Sequence, residues 1–262
     1  MSQTIVITSG KGGVGKTTVS AFMGARLASR GKRVVVCDLD FGLNNLDIVM
    51  GTEKQVVYDL TDVLSGRCRA SQAIVECQEI KNLFMLSSEH FSHESAVNAN
   101  NLKMLINGLQ DAFDFVILDC PAGIDVGFHR AVASADRAIV VITANLSSLR
   151  DADKVLSVLR SYNFKNIGLV VNMARGDLML DGLALSVGEI EELLKTKVIG
   201  LIPQDDAILV NKNCYLSTDY PSGIAFKKLA DSILSDKVRL FNPTKAYSGV
   251  IGSIKRSIKR NI

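Results

Sequence analysis

"TSGKGGVGKTT", residues 8–18, carries the spacing Gly-x-x-x-x-Gly-Lys-Thr at Gly10, Gly15, Lys16 and Thr17. It lies between an apolar run, QTIVIT (3–8), and a helical pattern over 16–30 that stops at Gly31. A strand before and a helix after give the spacing its meaning. Glycines let backbone N–H groups turn inward around an anion, and the start of the helix adds partial positive charge. The stretch predicts a phosphate-binding loop formed by Gly10, Lys11, Gly12, Gly13, Val14, Gly15, Lys16, Thr17 and Thr18. Lys16 would meet the β- and γ-phosphates of a nucleotide, Thr17 would ligate Mg²⁺, and Thr18 would touch the α-phosphate. Lys11 is a second lysine that the spacing does not require.

Magnesium bound to a nucleotide needs a further anchor, commonly an aspartate that ends a buried strand. FDFVILD (113–119) supplies Asp119, and Pro121–Gly123 just after it could form a switch that senses the γ-phosphate, with Gly123 counted among the nucleotide-binding residues. RVVVCDLD (33–40) ends in Asp38 and Asp40, which period-2 alternation places on one side of the strand. Ligands of parallel sheets lie beyond the carboxyl ends of the strands. There Asp38 could hold the magnesium shell, and Asp40 could position or deprotonate an attacking water.

The rest of the chain repeats the same alternation. Strands are predicted at 82–88, 137–144, 167–172 and 198–203, with helices at 100–112, 147–161, 186–195 and 222–235. Continuous apolar strands between helices imply a P-loop α/β fold, a mostly parallel twisted sheet with helices on both faces. Residues 42–80 are weakly patterned and leave their structure open. At 262 residues, 47% hydrophobic with only four prolines, the chain predicts one folded domain rather than disorder. It has no membrane-spanning apolar run and no signal-peptide pattern. Five scattered cysteines with no C-x-x-C pair fit reduced thiols in a cytoplasmic protein. His90 and His93 lack a supporting ligand set and read as surface loop; His129 reads as structural, and Met50, Met85 and Met104 as core.

The net charge of +3 conceals an asymmetry: from Lys237 onward there are seven bases and no acids, so the body before them is net acidic. At about 100° per residue, Val250, Ile251, Ile254, Ile258 and Ile262 share one arc of a helix. Lys255, Arg256, Lys259 and Arg260 occupy another. That is the pattern of an interfacial membrane helix on an anionic surface. Each buried isoleucine contributes roughly 1.5–3 kcal/mol and each base near anionic lipid about 1 kcal/mol. Ordering costs ~1–2 kcal/mol per residue, so one such tail is weak. Two acting together gain ~10²–10⁴ in avidity. The division is therefore 1–242 for the nucleotide domain and 243–262 for linker and tail.

"KGGVGKTT" (11–18) resembles the deviant Walker A motif of the MinD/ParA ATPases. "DLDFGLNNLDIVMG" (38–51), "VVYDLTDVL" (56–64), "DCPAG" (119–123), "SSLRDAD" (147–153) and "IPQDDAILV" (202–210) resemble the MinD branch in the same order. The resemblance implies an ATPase using ATP and Mg²⁺ that closes face to face as a homodimer, Lys11 reaching the partner's phosphates. It further implies Asn172 on adenine, Pro203, Gln204 and Asp205 along the base pocket, and Asn45 and Asp153 on the dimer face. Arg150, Asp151 and Asp153 would lie on the helix that meets a MinC-like inhibitor and a MinE-like or other topology factor. The tail would be a membrane-targeting helix (Val250, Ile251, Ile254, Lys255, Ile258, Lys259 and Ile262 at the lipid), placing a cytoplasmic protein peripherally on the inner face of the cell membrane. A ParA-like partition ATPase that binds DNA and an FlhG-like flagellar-number ATPase share this core. The reading favoured is a switch that positions the division septum, without a nucleic-acid partner.

Overall fold

A strand with both faces covered has no need of polar residues, and here the apolar runs are continuous because two helical layers bury them. The computed structural model describes residues 2–41, 45–88, 98–162, 164, 166–210, 214, 215, 217–249, 252, 253 and 256. Its strands are β1 (Gln3–Thr8), β2 (Val34–Asp38), β3 (Ile74–Glu76), β4 (Leu83–Leu86), β5 (Phe115–Asp119), β6 (Arg137–Ile142), β7 (Ile167–Ala174) and β8 (Val198–Pro203). Helices fill the intervals: α1 (Lys16–Ala28), α2 (Leu46–Met50), α3 (Leu60–Leu64), α4 (Ala70–Ala73), α5 (Ala99–Gln110) and α6 (Val126–Val132). They continue with α7 (Leu146–Ser161), α8 (Gly176–Leu180), α9 (Val187–Leu194), α10 (Ala207–Val210) and α11 (Pro221–Ser235).

The sheet order is β3-β4-β2-β5-β1-β6-β7-β8. Every pairing is parallel except β3 with β4, which is antiparallel. Alternation along each strand sorts the apolar residues into two cores. Ile5, Ile7, Val34, Val36, Ile117 and Ile139 join α1, α2 and α11. Val6, Val35, Cys37, Val116, Leu118 and Val140 join α5, α6, α7 and α9. The stacking of Phe22 on Phe226, centroids 5.1 Å apart, ties α1 to α11.

The strand and helix assignments made from sequence hold, with no end shifted by more than two residues. The weakly patterned stretch, left open in the sequence, forms α2, α3, α4 and the antiparallel edge β3, so the sheet is mostly parallel, as expected. Met104 is not a core residue: it is 73% exposed on the outer face of α5. His129 is structural, its Nδ1 2.7 Å from the Tyr162 hydroxyl. All five cysteines are free thiols. Among the described residues no helix is long and apolar enough to cross a membrane. Val250, Ile251, Ile254, Lys255, Ile258, Lys259 and Ile262 lie outside the described residues, as do His90 and His93.

Helix starts show what positions the site. Asn98, Asp125, Asn145 and Ser186 each accept a backbone N–H at the start of α5, α6, α7 and α9. α11 is capped from a distance: Asp205 Oδ2 accepts from Ser222 N (3.0 Å) and Ser222 Oγ (2.7 Å), and Asp205 Oδ1 accepts from Ala207 N (3.0 Å). Burial alone would raise the Asp205 carboxyl; the Ser222 and Ala207 bonds outweigh it, and the value falls below the usual range. Asp205→Ala should lower stability at pH 7 by about 1 kcal/mol, the worth of a helix cap. A depressed folded value means the contribution is complete above about pH 4 and vanishes as the pH falls through that depressed value. Thermal melts of both proteins from pH 7 downward check this: the gap should stay constant to about pH 4 and narrow as the pH falls further.

Candidate functional site

α1 is the exception among these helices. Its N-cap is Gly15, in the left-handed region at φ 84°, with no side-chain bond and no acid in its first turn. The first N–H groups of a long, buried helix are thus offered to a ligand rather than to a cap. Gly13 is also left-handed at φ 77°.

Two further contacts force glycine into the loop. A Cβ on Gly15 would come within 2.4 Å of Asn172 Nδ2. That same Nδ2 donates to Val14 O at 2.9 Å, so β7 clamps the loop from below. A Cβ on Gly10 would come within 2.4 Å of the Asp151 carbonyl, so the loop's other shoulder rests on the backbone of α7. Ser9 Oγ donates to Lys11 O at 2.8 Å, and Gly123 N donates to Ser9 O at 3.0 Å. The last bond joins the segment after β5 to the loop; Gly123 is itself left-handed at φ 96°.

Asp38 and Asp119 end the neighbouring strands β2 and β5 and are register partners. Both are buried. Burial raises the Asp38 carboxyl well above its usual range, and the Asp119 charge raises it further; N–H bonds from Asp40 and Leu46 oppose this. Asp119 is also raised, first by burial, against the opposing effects of the Thr17 hydroxyl, the Lys16 charge and the Ser20 hydroxyl. Asp40 is partly exposed just past the end of β2, its N–H donating to Asp38 Oδ1 at 2.8 Å. The turn, rather than a continued strand, is what brings Asp40 beside Asp38. Carboxylate and hydroxyl oxygens form the donor set of a hard divalent cation. A cation would relieve the repulsion and burial that oppose both charges, so Thr17, Asp38 and Asp119 fit Mg²⁺.

On the far side of α1's first turn lies a cavity of about 160 Å³ lined by Thr18, Asn172, Pro203, Gln204 and Asp205. These are the residues assigned to the base side, brought together from α1, β7 and the end of β8. Asn172 has a second task in the loop clamp, and the Asp205 carboxylate is committed to α11. Arg150 and Asp153 face outward on α7, and Asp151 faces the loop, its carboxylate 3.5 Å from Lys154 Nζ. Asn45 is exposed at the start of α2.

Three participants escaped the reading of the sequence. Ser20 Oγ donates to Asp119 Oδ1 at 2.8 Å. Its spacing, one turn beyond Thr17 on the same helix face, is a usable signal. Ser9 latches the loop, and Met173, held at φ 53°, lines the base cavity; a single residue in a left-handed conformation leaves no mark in the sequence.

A protein-family model described as an AAA domain matches residues 2–169. The chain is 40% identical over 261 residues to the septum site-determining protein MinD of Bacillus subtilis, covering 97% of each. It is 38% identical to the protein of that name from Synechocystis, covering 98% of this chain and 99% of the relative. Among solved structures it resembles the MinC:MinD cell division protein complex of Aquifex aeolicus (TM-score 0.84, 34% identity, 91% of this chain and 98% of that one). It also resembles MinD complexed with Mg-ADP from Pyrococcus horikoshii (TM-score 0.79, 29% identity, 90% and 97%). With near-complete coverage by these relatives and a phosphate loop set in the same fold, the chain belongs to the MinD family of septum site-determining proteins.

Proposed function

We propose that this chain is an ATP-hydrolysing switch for placing the division septum: with ATP it pairs with a second copy, holds an anionic membrane through its C-terminal tail, and recruits a division inhibitor. The observation that carries the nucleotide part is the uncapped start of α1 beside the buried pair Asp38 and Asp119. The Mg-ADP bound by the Pyrococcus relative supports the same reading, and the MinC:MinD complex of the Aquifex relative supports an inhibitor of MinC type.

In this reading, backbone N–H groups from Gly12 to Thr18 hold phosphate oxygens and Lys16 neutralises the outer ones. Thr17, Asp38 and Asp119 would hold Mg²⁺, which when bound would supply charge neutralisation for phosphoryl transfer. Asp40 orients the attacking water and accepts its proton. Thr18, Asn172, Pro203 and Gln204 bind the nucleoside. Lys11 acts in the partner's site, where a cation supplied in trans stabilises charge as an arginine finger does. Loss of the γ-phosphate removes the group that attracts that lysine, so hydrolysis loosens the pair. Arg150, Asp151, Asp153 and Asn45 serve the inhibitor, topology-factor and pairing surfaces. The tail reading rests on the segregation of isoleucines from bases in the sequence.

Three outcomes are expected. Co-sedimentation with anionic vesicles should pellet the protein with ATP and leave it in solution with ADP or no nucleotide. Replacing Ile254 and Ile258 by Asp should abolish pelleting; equal pelleting in every nucleotide state would overturn the switch. Lys11→Ala should remove ATP-dependent dimers on a sizing column and lower phosphate release by ~10³-fold or more; normal dimers would refute the role in trans. Asp119→Asn should abolish Mg²⁺-dependent hydrolysis yet not destabilise the nucleotide-free protein. A raised carboxyl value means the native chain loses stability as the pH rises from the unfolded value, about 4, toward the raised folded one. The variant should show a smaller loss, since Asp38 alone would then carry it, which melts across pH 4–8 would reveal.

A further inference from the structure

The C-terminal segment does not leave the domain where α11 ends. The chain turns at Asp236, left-handed at φ 51°, and runs back along the helix. Arg239 N donates to Ser232 Oγ (2.9 Å) and Lys228 Nζ to Leu240 O (2.9 Å). Pro243 is then buried against the first residue of α8: a Cβ on Gly176 would lie 2.0 Å from the Pro243 carbonyl oxygen. A 3-10 turn follows, Lys245–Tyr247, and Tyr247 lies with Arg175 at the wall of one small cavity. Gly252 folds back so closely that a Cβ there would lie 2.2 Å from the Tyr247 carbonyl carbon. Finally Arg256 Nη1 stands 4.0 Å from Asp181 Oδ1, just past the end of α8, both side chains largely covered. Residues 243, 247 and 256 thus meet 176, 175 and 181.

The seat also borders the base pocket. The cavity beneath the segment, about 100 Å³, has Phe241, Pro243 and Tyr247 on one side and Pro203 and Gln204 on the other. Pro203 and Gln204 line the nucleoside cavity too.

We propose that α8 and its flanks are the resting seat of the C-terminal segment, so that the basic tail must release Asp181 before it can engage lipid headgroups. This rests on reading the tail as membrane-binding. Arg256 has one guanidinium to give, and Asp181 and an anionic headgroup compete for it. A single ion pair as long as 4.0 Å, with neither side chain fully buried, is worth only a small factor, so the seat biases the tail without trapping it. That suits a tail whose own membrane grip is weak.

Two full-length variants test the seat by unrelated means. Gly176→Ala favours α8 as a helix but removes the room for the Pro243 carbonyl. Asp181→Asn keeps shape and removes charge. Hydrogen–deuterium exchange over residues 177–183 and 249–256, without lipid, should be faster than in the native chain in both: severalfold in Gly176→Ala and roughly two- to fivefold in Asp181→Asn. With ADP, binding to phosphatidylglycerol-rich vesicles should rise by similar factors, while binding with ATP stays close to native. Unchanged exchange in Gly176→Ala would overturn the proposal, as would unchanged ADP-state binding in both variants when the native chain binds with ATP. If the native chain binds vesicles in no nucleotide state, the membrane reading falls, and exchange alone decides whether the seat exists.

Discussion

Asp38 and Asp119 stand side by side at the ends of β2 and β5, buried where low polarity and mutual repulsion both oppose their charge. Much else in the structure answers to that placement. Lys16, Thr17 and Ser20 all come from the start of α1 and all act on Asp119. α1 reaches it because β1 runs directly beside β5 and delivers its loop over the end of that strand. Leu46 N–H at the start of α2 and Asp40 N–H in the turn after β2 offset the charge of Asp38. A protein designed for stability alone would place isoleucine here. Keeping two acids without a partner cation costs stability, a cost that a bound cation would offset.

The loop could be read from the sequence because its requirements are local: glycines at fixed spacing, a strand before and a helix after. The apolar strands could be read because burial on both faces leaves no alternation to interpret. Residues 42–80 could not. α2, α3 and α4 are each five residues or fewer, and β3 exists only because β4 offers it an edge. Such pieces take their conformation from distant partners. Met104 misled for a related reason: apolar character in a helix does not say which face it occupies.

The site shows the same division between local and distant causes. Thr18, Asn172, Pro203, Gln204 and Asp205 do converge on one cavity. What the sequence hid is how two of them divide their effort. Asn172 braces the phosphate loop through Val14, and Asp205 caps a helix that begins sixteen residues later. Both tasks depend on atoms brought near only by folding. In the proposed reading, base recognition would therefore share its residues with the fold.

The contact between Gly10 and Asp151 has a mechanical meaning. The loop and the inner side of α7 touch backbone to backbone, with no side chain between to yield. Close-packed interiors are barely compressible. A displacement of α7 from outside, at Arg150 or Asp153, would therefore find little slack before it reached the loop. The helix is seated like a pushrod directly on the glycine loop, so that in the proposed reading whatever leans on α7 would also lean on the phosphate cradle.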